Sequence, residues 1–135
     1  MRKKNKKSYK KGFTITELAI VLVVVAILAL VSVPIYRRYV RQAIASEGRA
    51  LLGEVAAAQE IYFARYGKFF AGSVGQEFSG AFGVDARRNR YFRGFHTEPT
   101  DGGGFRITTS AEDQGITLTL DGSHDSPPEI TETTS

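Results

Sequence analysis

The chain begins with a long apolar segment. Between Glu17 and Arg37 there is no charged side chain, and most of the residues there are aliphatic. Residues 13–36 make a segment of 24 residues. As an α-helix it would be about 36 Å long, more than the roughly 30 Å hydrocarbon core of a bilayer. The pattern therefore predicts a membrane-spanning helix over residues 13–36.

Beyond this segment the apolar positions become periodic, which predicts an amphipathic continuation of the helix over residues 37–66. Apolar residues recur every three or four positions, at Val40, Ile44, Gly48, Leu51, Val55, Ala58, Tyr62 and Tyr66. Pro34 cannot donate a backbone hydrogen bond, so it should kink or loosen the helix. Because the periodicity continues past Pro34, we expect the helix to end only near Gly67.

Residues 67–135 are predicted to form a small β-rich head with a loop-like tail. Apolar and polar residues alternate around Ile107 and again around Leu118, and residues 112–115 suit a hairpin turn between these two strands. Residues 91–95 are a candidate third strand, and the residues after Ser123 are expected to be a loop or frayed end. The predicted fold class is α+β, with an antiparallel sheet of three or four strands packed on the helix. With no cysteine in the chain, packing has to hold the head together.

The charges around the start of the apolar segment indicate processing. Residues 1–12 contain seven Lys or Arg and no acid, which favours a cytoplasmic N-terminus. Glu17 lies inside the apolar segment, where a carboxylate costs about 2.5–3.5 kcal/mol near a helix centre and less toward an end. A cut between Gly12 and Phe13 would create a terminal amine close enough to meet that charge.

Residues 10–39 resemble the start of type IV prepilins and of the related pseudopilins of type II secretion systems. The resemblance implies that a prepilin peptidase removes residues 1–12 by cutting after Gly12 and methylates the new amine of Phe13. Glu17 and Pro34 match the acid and the helix-kinking proline of the family pattern. An ordinary secretory signal peptide is disfavoured, because Glu17 interrupts the apolar core and no A-x-A-like site follows Leu28.

The resemblance implies a structural subunit of a type IV pilus, serving adhesion, motility or surface attachment. The alternatives are a pseudopilin of a type II secretion system and a minor pilin that binds DNA during uptake. The implied partners are copies of the chain or other pilins, the peptidase and methyltransferase, and the pilus or secretion assembly platform. The implied location is the bacterial inner membrane, crossed once with the N-terminus in the cytoplasm, and then an extracellular pilus or a periplasmic pseudopilus.

The remaining charges suggest two further sites. Without the seven leader cations, 11 basic and 14 acidic side chains remain, so general nucleic-acid binding is not expected. A local DNA contact is still open, because two aromatic residues, Tyr91 and Phe92, accompany four nearby arginines: Arg87, Arg88, Arg90 and Arg93. Residues 121–125 place oxygen ligands at alternating positions, which makes Asp121 and Asp125 calcium candidates, although a sheet-edge turn is favoured. No catalytic constellation or cofactor motif is present, so the chain is expected to be an enzyme's substrate and not an enzyme.

Overall fold

A computed structural model describes residues 12–73 and 82–134 of the chain. Its contacts divide the chain into two compact units, Met1–Tyr39 and Val40–Ser135. Helix α1, Ile15–Tyr66, contributes to both units. The helix continues through Pro34, in agreement with the periodicity of the sequence.

Helix α1 ends where the sequence predicted. Gly67 has a φ of +68°, in the left-handed region that favours glycine. Its N–H donates to the carbonyl of Phe63 at 2.7 Å, which satisfies one of the last carbonyls of the helix. Gly67 therefore acts as the C-terminal cap.

The second unit contains one antiparallel sheet of five strands: β1 Gly72–Ser73, β2 His96–Thr100, β3 Gly104–Ala111, β4 Ile116–Ser123 and β5 Ser126–Thr134. The strands lie in sequence order, each paired with the next one along the chain. The predicted α+β, pilin-like architecture is confirmed. The sheet has five strands, whereas three or four were expected. The hairpin turn predicted at residues 112–115 is also present, as a short 3-10 helix closed by Gly115 with a φ of +61°.

Two of the local predictions in the head are wrong. The tail after Ser123 is not a frayed end, because residues 126–134 form the edge strand β5 along the whole length of β4. Pro127 and Pro128 are tolerated there because β5 is an edge strand and both prolines lie in the register irregularity opposite the segment between Asp121 and Ser123. Residues 91–95 are not a strand, since the backbone groups of this loop bond to side chains instead of a neighbouring strand.

The core lies between the second half of α1 and the inner face of the sheet. Side chains alternate across β3 and β4, so that Ile107 and Leu118 face the helix while Arg106 and Thr119 lie on the outer face. Fully buried apolar side chains come from both layers and from the 91–95 loop, among them Leu52, Val55, Phe92, Ile107 and Leu118. The apolar stripe predicted from the sequence supplies the helix side of this core, except that its two end residues, Val40 and Tyr66, are exposed.

One polar side chain crosses the core. Gln59 is fully buried, and its amide nitrogen donates to the carbonyl of Phe70 at 2.9 Å and to the hydroxyl of Thr97 at 2.6 Å. Its amide oxygen accepts from the N–H of Phe70 at 2.8 Å. Gln59 thus ties α1 to the chain before β1 and to β2 with no polar atom of its side chain left unpaired.

Candidate functional site

The start of α1 is capped by a reciprocal pair of residues, Thr14 and Glu17. The backbone N–H of Glu17 donates to the hydroxyl oxygen of Thr14 at 3.2 Å. In return, the carboxylate of Glu17 accepts from the N–H of Thr14 at 3.0 Å and from its hydroxyl at 2.9 Å. This is a capping box, which satisfies two N–H groups that a helix leaves unpaired at its start.

The capping box is a role for Glu17 that the sequence argument missed. The sequence contains the capping-box pattern, Thr14-x-x-Glu17. Because Glu17 has apolar neighbours, only a cation was considered as its partner. In the uncut chain the nitrogen of Phe13 is an uncharged amide, so Thr14 supplies the hydrogen bonds that Glu17 needs. Glu17 therefore lies one helical turn from the proposed cleavage site, with its carboxylate directed toward it.

The apolar surface of the first unit is unburied. Phe13 is 87% exposed and Ile15 is 89% exposed, and the large apolar side chains that follow in this unit are at least half exposed. By length and composition, this part of α1 could cross a membrane, and none of that stretch is buried within the protein. Such an area of exposed apolar surface requires a lipid or protein environment around it.

A family model for the prokaryotic N-terminal methylation motif matches residues 7–33. The chain carries the type IV pilin and pseudopilin signature. The match includes Gly12, Phe13 and Glu17, but it ends just before Pro34 and does not extend into the head. The chain matches no curated protein and no solved structure.

The pilin signature bears on the processing, assembly and location of the chain. It implies processing by a prepilin peptidase and assembly into pilus-like filaments. With the apolar helix, it fits a membrane-anchored pilin that is later assembled outside the membrane. It also suggests a structural protein and not an enzyme. Leader residues 1–11 lie outside the described part of the chain.

The four arginines of the DNA-contact hypothesis lie on a short 3-10 helix, Ala86–Arg88, and on the loop after it. Arg88 forms an ion pair with Asp85 at 3.4 Å, and the guanidinium of Arg90 lies 5.3 Å from the ring centre of Tyr91. Arg93 lines an open groove of about 480 Å³, together with His96, Ser110 and Asp113. All four arginines are exposed, and they lie within seven consecutive residues of the chain.

The two aromatic residues of the DNA-contact hypothesis differ in their exposure. Phe92 is fully buried against the core, so it is not available for stacking on a base. Tyr91 is half-buried and already lies under Arg90. The aromatic half of a single-stranded DNA site is therefore largely missing, because stacking requires exposed ring faces.

Glu47 of α1 fixes the arginine-bearing loop to the helix. One carboxylate oxygen accepts from the N–H of Tyr91 at 2.7 Å and from the N–H of Phe92 at 3.0 Å. Partial burial of the carboxylate opposes its charge, but these backbone donors and the nearby charge of Arg90 outweigh it, so the pKa of Glu47 is lowered. No sequence pattern predicted this contact.

Of the two calcium candidates, Asp121 already binds an arginine. Asp121 accepts a hydrogen bond from Nε of Arg106 at 2.7 Å, and this bond is the main reason why the pKa of Arg106 is raised. Asp125 lies in the turn between β4 and β5. Among the described residues, no group of three or more His, Cys, Asp or Glu could hold a metal ion. The turn at the sheet edge, which the sequence favoured, is present.

Proposed function

We propose that this chain is a structural subunit of a type IV pilus, assembled through α1 after its leader is removed. The observation that carries the proposal is an unburied apolar helix whose first turn holds a carboxylate, Glu17, within a matched methylation motif. The apolar surface keeps the subunit in the inner membrane until assembly. In the filament, the same surface packs against copies of itself.

The proposed division of the chain follows from this mechanism. Residues 1–12 are the basic leader, which stays in the cytoplasm and is removed. Residues 13–36 form the membrane and assembly segment, and residues 37–66 continue the helix into the exported part. Residues 67–135 complete the head. Pro34 allows the assembly segment to bend or loosen where neighbouring subunits require it.

Cleavage after Gly12 changes the electrostatics at the helix start. The amide of Phe13 becomes an amine with a positive charge, and methylation of that amine keeps the charge. Thr14, whose N–H already bonds to Glu17, is the next residue, so the new cation lies close to the carboxylate. Glu17 then pairs with the Phe13 amine of its own chain or of a neighbour.

This pair controls the register of the subunits more than the strength of their association. Removing one partner of a buried ion pair costs about 3–5 kcal/mol, because the other charge is left uncompensated in an apolar environment. A subunit placed out of register pays that cost at Glu17. The apolar surface supplies the attraction, and the pair selects one arrangement.

A complementation experiment tests the proposal. A strain that lacks the gene is given the wild-type chain, a Glu17→Gln variant or the control Glu54→Gln, which alters an exposed carboxylate outside the assembly segment. Fibres are sheared from the cells and counted by electron microscopy. We expect fibres with wild type and Glu54→Gln, and few or none with Glu17→Gln. Normal fibre yield with Glu17→Gln would contradict the mechanism.

The same strains separate the two alternative functions. A type II pseudopilin would leave the deletion strain with its surface fibres and block the export of secreted enzymes. A DNA-uptake subunit would leave both fibres and secretion unchanged and reduce transformation. Loss of surface fibres in the deletion strain, restored by the wild-type chain, is the result that the pilus function predicts.

A further inference from the structure

Contacts with α1 define two ends of the head. At one end, Glu47 bonds to the loop that contains Tyr91. At the other end, Glu60 lies 3.3 Å from His124 in the turn between β4 and β5. The two helix positions are 13 residues apart, which corresponds to about 20 Å along the helix axis.

The end near Glu47 carries the basic loop, residues 87–93. Of its four arginines, Arg88 has an ion pair, with Asp85. In the described part of the chain, no carboxylate lies within ion-pair distance of the other three guanidinium groups. Glu47 holds the backbone of the loop in place, so the arginines are presented from a fixed backbone. A fixed loop loses less conformational entropy when it binds a partner.

Near the other end, where Gln59 of α1 bonds to Thr97 beside Glu98, the outer face of the sheet carries a row of charges across four strands. The strand register places Glu98 opposite Arg106, Arg106 opposite Asp121, and Asp121 opposite Glu129. Arg106 bonds to Asp121 at 2.7 Å and lies 3.9 Å from Glu98. Glu129 has no ion pair with any described residue. We refer to these four residues as the carboxylate row.

The carboxylate row has a deficit of positive charge. It contains three carboxylates and one guanidinium, and Arg106 does not form an ion pair with Glu129. Asp121 and Glu129 are directly opposite each other, an arrangement of like charges that destabilises an antiparallel pair of strands. A cation supplied from outside the chain would remove that repulsion.

We propose that the basic loop of one copy docks on the carboxylate row of the next copy, so that the heads join head to tail. The two surfaces have opposite charge and lie toward opposite ends of the same head. A contact between different surfaces of identical copies leaves one of each surface free and continues into an open chain. This inference rests on the proposed filament, in which copies are stacked in one direction, and it assigns the contact between their heads.

Cysteine cross-linking in fibres of the full chain tests the contact directly. The natural chain has no cysteine, so every disulfide formed comes from the introduced pair. We expect Arg90→Cys with Glu129→Cys to give ladders of linked subunits that a reducing agent removes. The matched control pairs Arg90→Cys with Thr133→Cys, an exposed position on the outer face of β5 away from the carboxylate row, and should give no ladder.

Charge reversal provides a second measurement. Arg90→Glu or Glu129→Arg alone should reduce the yield of sheared fibres about tenfold. The double variant, which exchanges the two charges, should restore most of the yield. Fibres that form normally in all three variants, without ladders from the cysteine pair, would overturn the head contact and leave the filament proposal intact.

Two other outcomes would also overturn the head contact. If Arg90→Glu lowered the retention of DNA by purified fibres without changing their yield, the basic loop would be a nucleic-acid surface instead. If the wild-type chain formed no fibres, the proposed function and the head contact would fail together. The fibre count of wild type therefore separates the two failures.

Discussion

The fit between α1 and the sheet is so close at Gly48 that a single methyl group should disturb it. A Cβ added there would lie 2.5 Å from Cδ1 of Leu118 and 2.8 Å from Cζ of Phe92. Both neighbours are fully buried, so neither can move aside into solvent. Gly53 lies on the exposed side of the same helix, and a Cβ there would meet nothing within 4 Å.

Comparison of Gly48→Ala with Gly53→Ala isolates the cost of overpacking. Each substitution gains about 1 kcal/mol of helix propensity. The difference between the two variants is therefore the packing term alone, about 1–3 kcal/mol for extra methyl groups in a tightly packed core. Gly53→Ala should be more stable than wild type, and Gly48→Ala should be less stable than Gly53→Ala by that amount.

Thermal unfolding of the full chain in detergent, followed by circular dichroism, measures this difference. For a domain of 60–100 residues, each 1 kcal/mol corresponds to about 4–8 °C in the unfolding midpoint. We expect the midpoint of Gly48→Ala to lie below that of Gly53→Ala by at least that interval. Equal midpoints would refute the close approach of the helix to Phe92 and Leu118.

Three further predictions concern polar contacts of α1. Glu47→Ala leaves the N–H groups of Tyr91 and Phe92 without their acceptor, so the unfolding free energy should fall by about 1–3 kcal/mol and both amides should exchange hydrogen faster, while Glu54→Ala changes neither. Folding lowers the pKa of Glu47, so its ionised carboxylate adds to the free energy of unfolding above the ordinary carboxyl pKa. This stabilisation is lost as the pH falls through the lower pKa of the folded state. Urea unfolding at a series of pH values should show the loss in wild type but not in Glu47→Gln. Gln59→Ala unpairs the N–H of Phe70 and should cost about 1–3 kcal/mol by urea unfolding, with Gln42→Ala, at an exposed position of α1, as the silent control.

Helix α1 and the two central strands could be predicted because their side chains repeat with the period of the structure. The apolar run and the three- and four-residue spacing extend without interruption to Gly67, which then supplies the left-handed cap. Strands β3 and β4 have one buried face, so apolar and polar residues alternate along them. In each case one face is buried, so apolar residues recur along the sequence with the period of the helix or the strand.

The elements that the sequence did not reveal lack such a period. Strand β5 is exposed along its whole length, and Ile130 is its one large apolar residue, so no alternation marks it. The loop of residues 91–95 has two buried phenylalanines and therefore resembles a strand, but Glu47, distant in sequence, binds its N–H groups. The partners of Gln59 likewise depend on the tertiary fold.

Three polar contacts join α1 to the rest of the second unit, in a chain that has no cysteine to form a disulfide. Glu47 binds the arginine-bearing loop, Gln59 binds the chain before β1, and Arg49 forms an ion pair with Glu132 of β5 at 2.6 Å. The first two involve buried or half-buried groups and carry most of the energy. The third is partly exposed, so its contribution is about 0–1 kcal/mol.

We propose that cleavage creates a charged amine next to Glu17 and that this amine belongs to the assembled subunit. Mass spectrometry of the chain from sheared fibres tests it most directly. We expect a polypeptide that begins at Phe13 and carries one methyl group on its terminal nitrogen. A fibre subunit that still contains residues 1–12 would contradict cleavage after Gly12.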